Sequence, residues 1–248
     1  KLKNGSVYTV NGTEGKVYVG GLKASDQKVI VKSDKEINKV LKTVTKVYVN
    51  LAEPEKAKQI AALNCDGVGL LRAEFMLAGI GTHPKKIIED GKQKMYIEKL
   101  AEQLSTFAQA FYPRPVVYRA TDFKTNEYRS LKGGYKYEPQ EPNPMIGFRG
   151  AYRYIVQPDV FKMEMEAIKI VRNTNDLKNL WLMIPFCRTV MELIEVKHLI
   201  YAAGLPRSPS FKLWMMCEIP SNVILLDKFI EAGIDGISVG SNDLTMMT

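Results

Sequence analysis

The stretch Leu213-Trp214-Met215-Met216-Cys217-Glu218-Ile219-Pro220-Ser221-Asn222 sets a short apolar run against a carboxylate and follows it, two residues on, with a proline. An apolar run of this length bounded by polar residues reads as a buried strand. Pro220 falls where a helix begins, because the first helical turn leaves its N–H unpaired in any case. A strand that ends on a charge and leads into a helix is the repeating unit of a parallel α/β sheet. Five more runs fit the same unit: Val47 to Asn50, Val68 to Leu71, Val116 to Tyr118, Leu182 to Pro185 and Gly236 to Val239. Pro54 and Pro84 mark further helix starts, while Gly204 and Gly233 mark helix ends. The apolar spacing predicts one long amphipathic helix over residues 85–111 and another over 159–171. Residues 122–156, rich in Gly, Pro and polar side chains, form an insertion longer than an ordinary connection.

Six parallel strands with helical crossovers fit either an open doubly wound sheet or most of an eight-stranded barrel, and the pattern alone leaves both open. Residues 1–33 differ from the rest. Val7 to Val10, Val17 to Val19 and Lys28 to Val31 are β-branched runs separated by Gly-containing turns, which predicts a small β unit. Residues 34–45 read as a linker, and residues 46–248 as the α/β domain.

With 46% hydrophobic and 25% charged residues, the chain can bury a full core. No apolar run approaches the roughly 18 residues of a membrane span, so no membrane partner is expected. The start, Lys1-Leu2-Lys3, lacks an initiator Met and a signal-type apolar core, which suggests a beginning inside a longer protein. Cys65, Cys187 and Cys217 are odd in number and lack zinc-site spacing, which suits free thiols in the cytoplasm. The net charge of +8 is spread among carboxylates without an aromatic-basic motif, so nucleic acid is not an expected partner.

Reactive groups in parallel α/β folds gather at C-terminal strand ends. There the sequence places Arg72 and Glu74, Arg119 and Asp122, Glu218, and Asn242 and Asp243. Glu218 and Asp243 end consecutive strands and are candidates to hold one cation; the alternative is that each pairs with an arginine or caps a helix. Arg72 and Arg119 present forked donors for an anionic substrate, or else form ion bridges to Glu74 and Asp122. Gly240, Ser241 and Asn242 offer backbone N–H groups near the same mouth. Arg149, in the insertion, either closes over the mouth or braces the domain, bracing being the simpler reading. His83 and His198 lack nucleophile partners, Gly67-Val68-Gly69 lacks a complete dinucleotide fingerprint, and no phosphate-binding Gly-Lys-Ser/Thr loop exists.

Four segments, Gly67-Val-Gly-Leu-Leu-Arg-Ala-Glu-Phe75, Asn143-Pro-Met-Ile-Gly-Phe-Arg-Gly150, Met216-Cys-Glu-Ile-Pro-Ser-Asn222 and Gly240-Ser-Asn-Asp-Leu-Thr245, resemble the ordered motifs of the phosphoenolpyruvate-utilising enzymes. Within that family, Arg119-Ala-Thr-Asp-Phe-Lys-Thr-Asn-Glu-Tyr128 is more similar to the phosphoenolpyruvate synthase branch than to the pyruvate phosphate dikinases or the phosphotransferase-system starter enzymes. The resemblance implies a (β/α)8 TIM barrel lacking its last two strands in this chain, with residues 1–33 the end of a swivelling phosphohistidine domain. It implies that Arg72 and Arg119 bind phosphoryl and carboxylate groups, that Glu218 and Asp243 hold Mg2+, and that Gly240, Ser241 and Asn242 contact pyruvate or phosphoenolpyruvate. The implied reaction converts ATP, pyruvate and water to AMP, phosphoenolpyruvate and phosphate through a phosphohistidine. ATP would be bound by an N-terminal domain absent from this chain. The carrier histidine would precede Lys1 and a proton-exchanging cysteine would follow Thr248, so these residues alone are not expected to complete the reaction. A homo-oligomer is the expected assembly. The competing readings are a sister dikinase, and a catalytically silent barrel serving as a binding module.

Overall fold

The computed structural model describes residues 3–11, 15–21 and 43–248. The chain divides into two compact units, Lys1–Thr43 and Val44–Thr248. In the first, strands β1 (Tyr8–Asn11) and β2 (Lys16–Val19) form an antiparallel pair with Tyr8 opposite Val19. The run from Lys28 to Val31 and the linker segment up to residue 42 lie outside the described residues.

The second unit is built on a six-stranded, wholly parallel sheet whose strand order follows the chain: β3 (Tyr48–Leu51), β4 (Gly67–Arg72), β5 (Val116–Arg119), β6 (Leu180–Ile184), β7 (Leu213–Cys217) and β8 (Gly236–Val239). Each agrees with an expected strand to within two residues. The helices between them are α1 (Ala57–Ala61), α2 (Ala73–Ala78), α3 (Pro84–Glu89), α4 (Gln93–Phe111), α5 (Thr125–Arg129), α6 (Gly150–Val156), α7 (Pro158–Lys169), α8 (Val190–Ala202), α9 (Pro220–Ile224), α10 (Leu226–Glu231) and α11 (Ser241–Met246). No helix among the described residues is long and apolar enough to cross a membrane.

The single helix expected over residues 85–111 is instead two. Gly91 adopts φ +67°, and the N–H groups of Gly91 and Lys92 turn back to the carbonyls of Ile88 and Ile87. That pair of reversed bonds, with a left-handed glycine after the cap, is a Schellman stop. Gly204 ends α8 in the same way, with Gly204 and Leu205 bonded to Tyr201 and Ile200. Residue 122–156, the expected insertion, is not structureless: α5, α6 and two single-turn 3-10 segments fold it into a cover.

Side chains alternate across the strands. Val68, Leu71, Val116, Tyr118, Leu180, Leu182, Ile184, Leu213 and Met215 face the helices and form the main core with Leu100, Leu104, Phe107 and Phe111 of α4. Leu70, Val117, Met183 and Met216, backed by Trp181 and Trp214, form a separate apolar cluster on the other face. In a flat sheet the edge strands β3 and β8 would stand about 24 Å apart, five spacings of roughly 4.8 Å. Asn50 of β3 and Ser238 of β8 nevertheless line one cavity. The sheet is therefore curled, with the second cluster on its concave side. This is an α/β fold with a curled parallel sheet.

Candidate functional site

The concave face carries the chemistry at its C-terminal rim. The alternation that puts Leu70 and Val117 inside also puts Arg72 and Arg119 inside, two residues further along, and the two arginines are direct register partners on β4 and β5. Glu218 follows Met216 by the same step on β7. A cavity of about 560 Å³ opens at this rim and is lined by Arg72, Glu74, Arg119, Asp122, Arg149, Glu218, Gly240, Ser241, Asn242 and Asp243, with Phe123, Lys124 and Glu127 beside them. Every site residue expected from the sequence is in this lining.

The ion pairs differ from the simple alternatives. Glu74 pairs with Arg119 (Nη2 to Oε1, 3.0 Å), not with Arg72, and the Asp122 N–H also donates to Glu74 Oε1 (2.9 Å). Asp122 pairs with Arg149, not with Arg119, through two bonds of 3.0 and 2.6 Å. Arg149 Nη2 reaches on to Asp243 Oδ2 at 2.9 Å. The insertion thus sends one buried guanidinium into the mouth, where it ties two strand ends together. Arg149 lies over the Phe186 ring, 4.0 Å from its centroid. The next residue, Gly150, has φ +59°, and a Cβ there would stand 2.6 Å from Phe186 Cβ. Glycine is needed for that approach.

Asp122, Glu218 and Asp243 each offer a carboxylate oxygen, and these oxygens lie within 4.8 Å of one another. Asp122 as a third candidate ligand was not anticipated; its position three residues past Arg119 gives little hint. Glu218 is 2% exposed and accepts one bond, from the Phe186 N–H at 2.7 Å. Burial first, then the nearby Asp122 and Asp243, push its carboxyl up to about 7. Asn222 fixes it from below: its Oδ1 accepts the N–H groups of Glu218 and Ile219, and its Nδ2 donates to the Cys187 carbonyl (2.7 Å). A Cβ at position 240 would stand 2.6 Å from Glu218 Cβ, so Gly240 also leaves room for this carboxylate.

The charge balance tests whether a cation fits. Arg72, Arg119 and Arg149 share the lining with Glu74, Asp122, Glu218 and Asp243, three guanidiniums against four carboxylates when all are ionised. Lys124 and Glu127 cancel each other at 3.2 Å. The lining is left short of positive charge, and hard carboxylate oxygens are the preferred donors of a divalent cation. Burial weakens the charge of Arg119, but Glu74, Asp122 and Glu218 outweigh it and raise its pKa. Its Nε is buried without a partner, as is Glu74 Oε2. Arg72 is exposed and makes no ion pair among the described residues. The guanidinium of Arg72 and the Nε of Arg119 therefore have donors left to meet an anion.

The histidines lie elsewhere. His83 is buried; its Nδ1 accepts the Lys85 N–H that starts α3, so Nε2 carries the proton toward Glu138 (2.9 Å). Glu138 is gripped by two bonds from Arg153, at 2.6 and 2.8 Å. His198 lies within α8. The three cysteines are free, Cys187 and Cys217 being buried.

Arginines facing a carboxylate cluster at the strand ends of a parallel sheet define an α/β protein equipped to hold a small anion beside a cation. The chain belongs to the family of PEP-utilising enzymes, where PEP is phosphoenolpyruvate: the family model of their PEP-binding domain matches residues 27–248. It is 46% identical to a probable phosphoenolpyruvate synthase of Staphylothermus marinus over 99% of this chain and 31% of that protein. Similar relatives are the phosphoenolpyruvate synthases of Aeropyrum pernix, 46% identical over 100% of this chain and 32% of the relative, and Pseudomonas aeruginosa, 44% identical over 82% and 28%. The chain spans about a third of the length of these curated relatives.

Proposed function

We propose that this chain is the pyruvate- and PEP-binding part of a phosphoenolpyruvate synthase, an enzyme that turns ATP, pyruvate and water into AMP, PEP and phosphate. The observation that carries the reading is the rim cavity, where Arg72 and Arg119 share one lining with Asp122, Glu218 and Asp243. Arg72 and Arg119 grip the phosphoryl and carboxylate groups of PEP, each through forked N–H donors. Glu218 and Asp243, with Asp122 beside them, hold Mg2+, which when bound would stabilise negative charge on the enolate oxygen. Gly240, Ser241 and Asn242 close the other side of the substrate. Asn222 and Arg149 keep the carboxylates in place, so that little rearrangement is needed as charge moves during phosphoryl transfer.

The cavity lining contains no histidine and no cysteine among the described residues. In this scheme a phosphohistidine, a proton-exchanging thiol and the ATP site come from other parts of the protein. Residues 1–33 belong to the swivelling phosphohistidine domain, 34–45 to a linker, and 46–248 to a (β/α)8 barrel of which six strands are in this chain. A cytoplasmic homo-oligomer completes the proposal.

Titration calorimetry tests the reading. PEP should bind in the presence of Mg2+ and not in its absence, and Arg119→Ala should weaken binding by at least about tenfold, equivalent to about 1.4 kcal/mol. Wild type that ignores Mg2+, together with an unaffected Arg119→Ala, would leave a binding module without this chemistry.

A further inference from the structure

Past the end of β5 the chain leaves the ladder. The Ala120 N–H still bonds to the Met183 carbonyl at 3.0 Å, but the next residue, Thr121, is held from the opposite side of the sheet. Its N–H donates to Glu164 Oε2 (3.1 Å), which also accepts the Tyr118 hydroxyl (3.0 Å). Its carbonyl accepts the Tyr154 hydroxyl at 2.6 Å. Glu164 comes from α7 and Tyr154 from α6, both among helices packed on the outer face. Thr121 is flanked at two residues by Arg119 and at one by Asp122, both of which line the mouth.

Glu164 is 1% exposed, and its neighbours Val160, Phe161, Met163, Met165, Ala167 and Ile168 on α7 are buried and apolar. No cation pairs with it among the described residues. A carboxyl in that setting costs stability, and an apolar side chain would pack there at lower cost unless the oxygen were needed. Two of its possible partners are backbone and side chain of the same short segment, residues 118–121.

We propose that Glu164 is a positioning residue for the rim cavity: from behind the sheet it fixes the Thr121 backbone, and through it the placement of Arg119 and Asp122. The inference rests on the reading of that cavity as the substrate site. Burial pushes the Glu164 carboxyl up to about 7, so a neutral amide is a fair replacement. The amide oxygen of Glu164→Gln can accept both bonds that Oε2 now accepts. Glu164→Met keeps the volume and removes the acceptor, leaving the Thr121 N–H buried without a partner, a loss worth tenfold or so in an equilibrium.

The test compares Glu164→Met, Glu164→Gln and a control, Ile168→Ala, in the full-length protein. Ile168→Ala opens the same helix and removes neither bond to Thr121. Two quantities are read: Mg2+-dependent PEP affinity by calorimetry, and amide hydrogen exchange of residues 120–123. Glu164→Met should weaken PEP binding about tenfold and speed exchange at Thr121, while Glu164→Gln restores both and Ile168→Ala leaves both as in wild type. If Glu164→Met matches Ile168→Ala in affinity and exchange, the residue is packing only and the proposal falls. Should Glu164→Met fail to fold, Glu164→Leu removes the same acceptor, and unchanged affinity and exchange there overturn the proposal equally. Wild type that does not bind PEP overturns the substrate reading instead; exchange at Thr121 then still decides whether Glu164 fixes this segment.

Discussion

Glu138 and Glu218 are both glutamates in the same unit, 3% and 2% exposed, and their surroundings drive them in opposite directions. Burial raises both carboxyls. At Glu138, bonds from His83 and two from Arg153 outweigh burial and bring the carboxyl below its ordinary value. At Glu218 burial and two neighbouring carboxylates outweigh one backbone N–H and the charge of Arg119, and the carboxyl is pushed up to about 7. The first is a finished ion cluster that pins the insertion to the domain. The second is short of positive charge, which is what a site that takes up a cation from solution needs.

Three substitutions separate the two kinds. Arg153→Met strands the Glu138 carboxylate in the interior and should cost the most, about 3 to 5 kcal/mol in denaturant unfolding. A loss under about 1 kcal/mol there would erase the contrast. Glu218→Gln should leave stability unharmed yet weaken Mg2+-dependent PEP binding by roughly 2 to 3 kcal/mol, on the scale of a lost charged partner. Its effect on pH dependence has a definite sign. Folded Glu218 keeps its proton up to about pH 7, whereas an unfolded glutamate releases it near 4.3. Its contribution is therefore present below about pH 4.3 and lost as pH rises toward 7, by about 1 to 3 kcal/mol. Melting curves from pH 5 to 8 should show that slope flattened in Glu218→Gln, and Mg2+ should stabilise the wild type more at pH 8 than at pH 5. The smallest structural effect is expected at Arg72, which is exposed and unpaired. Arg72→Ala should change stability by no more than about 0.5 kcal/mol, and PEP affinity by about tenfold. Equal losses of stability at Arg72 and Arg153 would mean that the rim is as closed a network as the insertion.

Much of this arrangement is readable in the sequence because it is local. Six apolar runs, four of them followed by the polar groups of the rim, mark the strands, and alternation along each strand carries Arg72, Arg119 and Glu218 to one face. The helix break at Gly91 is written in the same letters as the stop at Gly204. It is hidden because the apolar residues Ile87, Ile88, Tyr96 and Ile97 continue a helix-like spacing across it. Other features have no local signature. Arg149 meets Asp122 across 27 residues and Asp243 across 94, and Glu164 meets Thr121 across 43. Such pairs exist only once the domain has folded. Asn222 stands between these cases: four residues past Glu218 and inside the first turn after Pro220, it is placed to bond back to the strand end, and that spacing could have been read.

The two-residue alternation also predicts where this chain tolerates changes of length. One residue added within β7 ahead of Glu218 would exchange the faces of its C-terminal half, sending the carboxylate toward α8 and Met215 toward the rim. Substrate binding and folding would be lost together, whereas residues added at Tyr135, on the exposed surface of the insertion, leave that parity untouched. Within β4 to β8, the parts proposed to recognise the ligand and the parts that fold the domain share one reading frame.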